Sequence, residues 1–236
     1  MLDKIECSSY TRGVRALPNL ENGHYHVYNR GVTKQTLYYD SADYARFLFL
    51  VLHLQAPVSI PQVNRYIKSY LTTADFKVNE KLMKQIYEKR IVEVQNFCIM
   101  PNHFHLTLRA LCDGAISVYM QKLGNAYSKY FNRRYDKSGH VFQGSYKMRE
   151  IFDDGDLVHL SAYIHRNPHE ISIWKDKADV YPWSSYQDMQ KSRWGALLQS
   201  ESLLSGFASF VDYRDYVESS GTKEDFEDAD FETSQI

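Results

Sequence analysis

His103, Phe104 and His105, in the middle of PNHFHLTLRAL (101–111), are the first candidates for a reactive centre. This segment alternates polar and apolar residues with the period of a β-strand, so successive side chains face opposite ways. His103 and His105 should therefore project together, about 7 Å apart along the strand, while Phe104 points into a core. Two neutral imidazoles on one face can share a metal ion, although two ligands alone do not complete a site. His24 and His26 repeat the spacing in HYHVYNRG (24–31), where structural histidines near a sheet are expected.

A third ligand and a nucleophile have to come from another element. His159, Tyr163 and Asn167 recur at i, i+4 and i+8, which places them in one stripe of a short helix. Tyr163 could act as a covalent nucleophile, and Asn167 could offer an oxygen ligand one turn later. Against this, the chain has 19 tyrosines, most of which must be packing or surface residues. Asn167–Pro168 also reads as a helix stop.

The periodicities around these residues indicate how they are carried. Residues 24–31 read as a strand ending in a glycine turn, and Ser41 and Asp43 are candidate caps for a helix through 44–55. Residues 61–90 read as two polar-rich amphipathic helices. IVEVQNFCIM (91–100) reads as a buried strand that forms a hairpin with 101–111, turning near Met100–Asn102. A long helix follows from Ile116 to Tyr135, then a strand in SYKMREIF (145–152), then the short helix ended by Pro168. Without the inserted helices the order is that of an α+β ferredoxin-like sandwich, an antiparallel sheet with helices on one face. The helical insertion spans about 58–90, and a C-terminal extension at about 172–221 is expected to wrap the core.

The 236 residues have the composition of an ordinary globular chain, with 44% hydrophobic and 24% charged residues. No apolar run approaches the roughly 20 residues of a membrane span, and the N-terminus shows no apolar leader region. Three scattered cysteines form no CxxC pair, which argues against a disulfide framework or zinc ribbon and for the cytoplasm. The net charge of −1 is a sum over unlike parts. Residues 222–236 hold six acids and one lysine and read as an acidic disordered tail; removing them from the chain's 28 basic and 29 acidic residues leaves 27 and 23. Between Gln121 and Glu150, seven basic residues stand against two acids, interleaved with aromatics. That asymmetry points to a polyanion partner.

PNHFHLTLR, KLGNAYSKYFNRRYDKSGHVFQGSYK, LSAYIHRNP and YPWSSY together resemble the HUH single-tyrosine transposases, and within them the REP-associated tyrosine transposase branch. The resemblance runs from about His24 to Tyr186 and implies one such domain over 1–221. It implies that His103 and His105 ligate a divalent ion, Mg²⁺ or Mn²⁺, that Tyr163 is the nucleophile, and that Asn167 is the third ligand. Insertion-sequence relatives carry a glutamine at the position of Asn167. Two imidazoles favour Mn²⁺ over Mg²⁺ on ligand softness.

The implied activity is single-strand DNA cleavage and strand transfer through a 5′-phosphotyrosine, on hairpin or repeat DNA, by a monomer or homodimer. Arg30 lies in the NRG segment, which the resemblance places near DNA. Lys122, Lys129, Arg133, Arg134, Lys137, Lys147 and Arg149 are candidate phosphate contacts, and Phe142 and Tyr146 candidate stacking residues. Two other readings compete: a non-catalytic DNA-hairpin binding protein on the same fold, and an unrelated metallohydrolase that would need an added acidic ligand.

Overall fold

A computed structural model describes residues 19–220; the acidic segment at 222–236 lies outside them. Four strands form one antiparallel sheet: β1 (His24–Arg30), β2 (Val92–Met100), β3 (His103–Ala110) and β4 (Lys147–Ile151). Their spatial order is β2-β3-β1-β4, the ferredoxin-like arrangement anticipated from the element order. Helices α1 (Ser41–His53) and α4 (Ala115–Tyr135) make the two crossovers. The inserted pair, α2 (Val63–Thr73) and α3 (Glu80–Lys89), follows α1.

Register assigns each strand residue to a face. Tyr28 lies opposite His105, Arg30 opposite His103, Cys98 opposite His105, and Lys147 opposite Tyr28. One face therefore carries Val27, Phe97, Phe104, Leu106 and Leu108, packed in the main core with Phe47, Tyr119, Leu123 and Tyr127 of α1 and α4. The other face carries His26, Tyr28, Cys98, Met100, His103, His105 and Thr107. It is covered by α5 (Asp154–Arg166), whose Leu160 and Ile164 pack on Cys98 and Met100. Coverage on both faces explains why every residue of β2 is buried.

The C-terminal extension folds as α6 (Tyr186–Lys191), α7 (Glu201–Leu204) and α8 (Phe210–Ser219). Tyr186, Leu203, Tyr213 and Val217 make a second core with Leu157 and Ala162 of α5. The same extension covers the outer edge of β2, where Ile99 N donates to Trp183 O and Gln199 N to Val94 O.

Two expectations need correction. The α1 cap is Asp40, whose side chain accepts from the amides of Ala42 and Asp43, while Ser41 is the first helical residue. Asp43 is instead fully buried, accepting from Tyr39 N (2.9 Å), Tyr130 OH (2.8 Å), Arg134 Nη1 (2.7 Å) and Tyr135 OH. It ties the start of α1 to the end of α4. Asp43→Ala removes the buried acceptor shared by Arg134, Tyr130 and Tyr135, and urea unfolding should show a loss of about 3 kcal/mol. A loss below about 1 kcal/mol would make the cluster incidental. The second correction concerns cysteine: Cys98 is a buried free thiol, but Cys112 is disulfide-bonded. The cysteine count therefore carries no argument for a reducing compartment.

Candidate active site

The site forms where α5 crosses β3. Asp153 caps α5 by accepting from Asp156 N (2.8 Å), and Leu160 and Ile164 fix which side faces the sheet. The extension clamps the helix from outside. Tyr213 OH bonds Ser161 Oγ (2.9 Å) and His165 Nδ1 (2.7 Å), and His165 Nε2 meets Ser185 Oγ (2.9 Å). Burial pushes His165 down to about 3, so this network is held by a neutral imidazole.

Pro168 decides how α5 ends. It has no N–H to give the Ile164 carbonyl, and the Asn167 amide takes that acceptor instead. The carbonyl of Tyr163 is then bonded by the Asn167 side chain, whose Nδ2 donates to it at 2.9 Å. This leaves Oδ1 aimed at the sheet, 3.3 Å from His103 Nε2. Asn167 is therefore both the helix stop and the source of a carbonyl oxygen turned toward His103.

His103 and His105 do share a face, with ring centroids 5.1 Å apart and planes nearly perpendicular. The Tyr163 ring stands edge-on to His105 at 5.5 Å and to His26 at 6.1 Å. Burial lowers the pKa of His103, outweighing its bond to Asn167. Burial and then its histidine neighbours hold His105 well below the ordinary value. Both imidazoles are neutral at neutral pH.

His103 Nδ1 meets Asn102 Oδ1 at 2.7 Å, and Asn102 Nδ2 donates to Lys34 O, which fixes that amide. A neutral imidazole has one proton for two carbonyl oxygens. When Nδ1–H donates to Asn102, the Nε2 lone pair and Asn167 Oδ1 face each other as two acceptors. A divalent cation held by both would resolve that opposition. Among the described residues no group of three His, Cys, Asp or Glu forms a metal cluster. The oxygen that faces His103 Nε2 is that of the Asn167 amide. The residues present fit a divalent ion.

Sequence reasoning set His26 aside as structural and did not single out Asn102. His26 Nε2 lies 2.9 Å from His105 Nδ1, and burial, with Arg149 nearby, pushes His26 down to about 3. If His105 donates from Nδ1 to His26, its Nε2 is left unprotonated, the relation that Asn102 has to His103. In the first HxH, His24 Nδ1 bonds Gln95 Oε1 at 2.7 Å. Only strand register could have revealed the role of His26. Asn102 stands next to a candidate ligand in a turn, a signal that was available.

The candidate DNA residues separate into groups. Arg30, Lys147 and Arg149 share the histidine face, with Lys147 and Arg149 exposed. Lys129, Arg133 and Lys137 are exposed along and beyond α4, on the other layer. Lys122 is half-buried and donates to Ala56 O (3.2 Å), and Arg134 is held by Asp40 and Asp43. Phe142 and Tyr146 are half-buried, with Phe142 edge-on to Phe104 (6.0 Å) and Tyr146 OH on Ser117 Oγ (3.0 Å).

Residues 56–167, slightly less than half of the chain, match the family model of IS200-like transposases. The matched stretch contains His103, His105, Tyr163 and Asn167. That stretch is similar to the IS200-like transposases. No curated protein matches the chain. A solved structure of a REP-associated tyrosine transposase bound to a REP hairpin superposes with a TM-score of 0.46 at 15% identity, covering 76% of this chain and 84% of that one. The transposase stretch ends at Asn167, so the extension that clamps α5 lies beyond the match. Among the described residues no helix is long and apolar enough to cross a membrane.

Proposed function

We propose that this chain is a DNA transposase that cleaves and rejoins single strands through Tyr163, on hairpin or repeat DNA. The observation that carries the reading is the convergence of His103 Nε2 on Asn167 Oδ1 at 3.3 Å, with the Tyr163 ring beside His105. A divalent ion, Mg²⁺ or Mn²⁺, held by His103, His105 and Asn167 would polarise the scissile phosphate and offset the charge on its oxygens. The Tyr163 oxygen bonds to phosphorus as the P–O3′ bond breaks, and the proton lost by the phenol is balanced by the one gained at the 3′-oxygen. The 5′-phosphotyrosine retains the bond energy, so a second 3′-hydroxyl reverses the step and joins strands.

His26 and Asn102 serve as positioning residues, setting the tautomers of His105 and His103. Arg30, Lys147 and Arg149 contact phosphates on the histidine face, and Lys129, Arg133 and Lys137 extend the basic path along α4. Lys122 and Arg134 act mainly in structure. Residues 1–221 would work as one HUH-type tyrosine transposase domain in the cytoplasm. It would act as a monomer or a homodimer.

The test is to incubate the full-length protein with labelled stem-loop DNA and Mn²⁺. A covalent protein–DNA band is expected, with the phosphate mapped by mass spectrometry to the peptide containing Tyr163. A gel shift with no covalent band would leave a DNA-hairpin binding protein and remove the enzyme.

A further inference from the structure

On the opposite face of the sheet from the histidines, at the same end, lies a cavity of about 410 Å³. The two sites share a strand, because Phe104 sits between His103 and His105 and turns its ring into the cavity wall. Asn29, also in the wall, precedes Arg30, which lies opposite His103. The loop over the sheet end closes the cavity through Gly139–Phe142 and Gly144–Tyr146; Gln143 N donates to Arg30 O and Gly31 bridges Phe142.

The lining contains no Lys, Arg, Asp or Glu. It offers aromatic surface in Phe104, Phe142 and Tyr146, and amide or imidazole groups in Asn29, Gln121, Asn125 and His140. The exposed side chains of Gln121, Asn125 and His140 make no hydrogen bond to any described residue. That is the chemistry of a base reader, with apolar walls for a ring and neutral donors and acceptors for its edge. It is not that of a phosphate site, which would hold cations.

Gly124 adds an independent observation. It stands mid-way along the 21-residue α4, where glycine costs about 1 kcal/mol relative to alanine. A Cβ there would meet nothing within 4 Å. Packing within the chain does not demand a glycine, and its absent side chain leaves the cavity floor open.

We infer that this cavity takes one unstacked nucleobase from the single-stranded part of the bound DNA. The inference rests on the proposed function and deepens it. The phosphate to be cut sits on the histidine face, and a base a few nucleotides away is held across the sheet end, setting which phosphate reaches Tyr163. The two faces meet at the Arg30–Gly31 end of β1, so a strand passing over that end reaches both.

A stem-loop DNA with randomised single-stranded flanks, selected on the full-length protein, supplies the probe. Abasic nucleotides are then placed at each flank position in turn. One position should weaken binding by about 10- to 100-fold when its base is removed. Gly124→Leu, which fills the cavity and improves helix propensity, should weaken binding of intact DNA by a similar factor and add nothing when combined with the sensitive abasic site. Mn²⁺ binding, read by electron paramagnetic resonance, should be unchanged. If Gly124→Leu impairs folding, Gln121→Ala with Asn125→Ala should abolish base preference at the same position.

Equal binding of intact DNA by wild type and Gly124→Leu, or no flank position sensitive to base loss, overturns the inference and leaves the proposed function standing. Failure of the wild type to select any stem-loop overturns both.

Discussion

Tyr163→Phe should eliminate the covalent protein–DNA adduct while the variant still shifts stem-loop DNA in a gel. The substitution removes one oxygen and keeps the ring, so the edge contacts with His105 and His26 at 5.5 and 6.1 Å remain in place. The backbone carbonyl of Tyr163, which accepts from Asn167 Nδ2, is likewise retained. Removing a nucleophile costs on the order of 10⁴-fold or more in rate. DNA affinity should change by less than about threefold, since phosphate contacts dominate it. An adduct that survives Tyr163→Phe would place the nucleophile on another residue.

His103→Ala should lower Mn²⁺ affinity by about 100-fold or more and remove cleavage, with stem-loop binding nearly unchanged. His26→Ala and Asn102→Ala should each cost about 10- to 100-fold in Mn²⁺ affinity, because each leaves a ligand imidazole without the partner that sets its tautomer. Titration calorimetry separates these effects from activity. The pH dependence has a definite sign. Protons compete with metal only where the ligands titrate, and burial moves both His103 and His105 below the ordinary 6.5. Both stay neutral to lower pH than free imidazole, so affinity should be almost flat from pH 7.5 to 6.0 and fall only through the lowered values. Two unshifted imidazoles would lose about tenfold over that interval. A tenfold loss would mean that the site is open to water, and equal loss of DNA binding in His103→Ala would count against a catalytic metal.

Much of this was legible in the residues because the relevant signals are local. Alternation in PNHFHLTLRAL put His103 and His105 on one side of β3, and the i, i+4, i+8 stripe put Tyr163 and Asn167 on one side of α5. The order of elements sufficed for the ferredoxin-like sheet, since two crossovers and a hairpin leave few ways to pair four strands. Helix ends were less legible. Asp40, Ser41 and Asp43 all carry capping chemistry, and the choice fell to Asp40 because Asp43 is drawn into the α4 cluster.

By itself, then, the chain's sequence determined which side chains could act and which local face each would share. Tertiary structure decided what those faces meet. It set His26 against His105 through the β1–β3 register, aimed Asn167 Oδ1 at His103 through the Pro168 turn, and withdrew Lys122 and Arg134 from the basic surface. It also opened a cavity behind Phe104 that no periodicity marks. Backbone geometry propagates a pattern along one element over a few residues. Contacts between elements separated by some 60 to 90 positions depend on strand register and helix packing, which only the folded chain specifies.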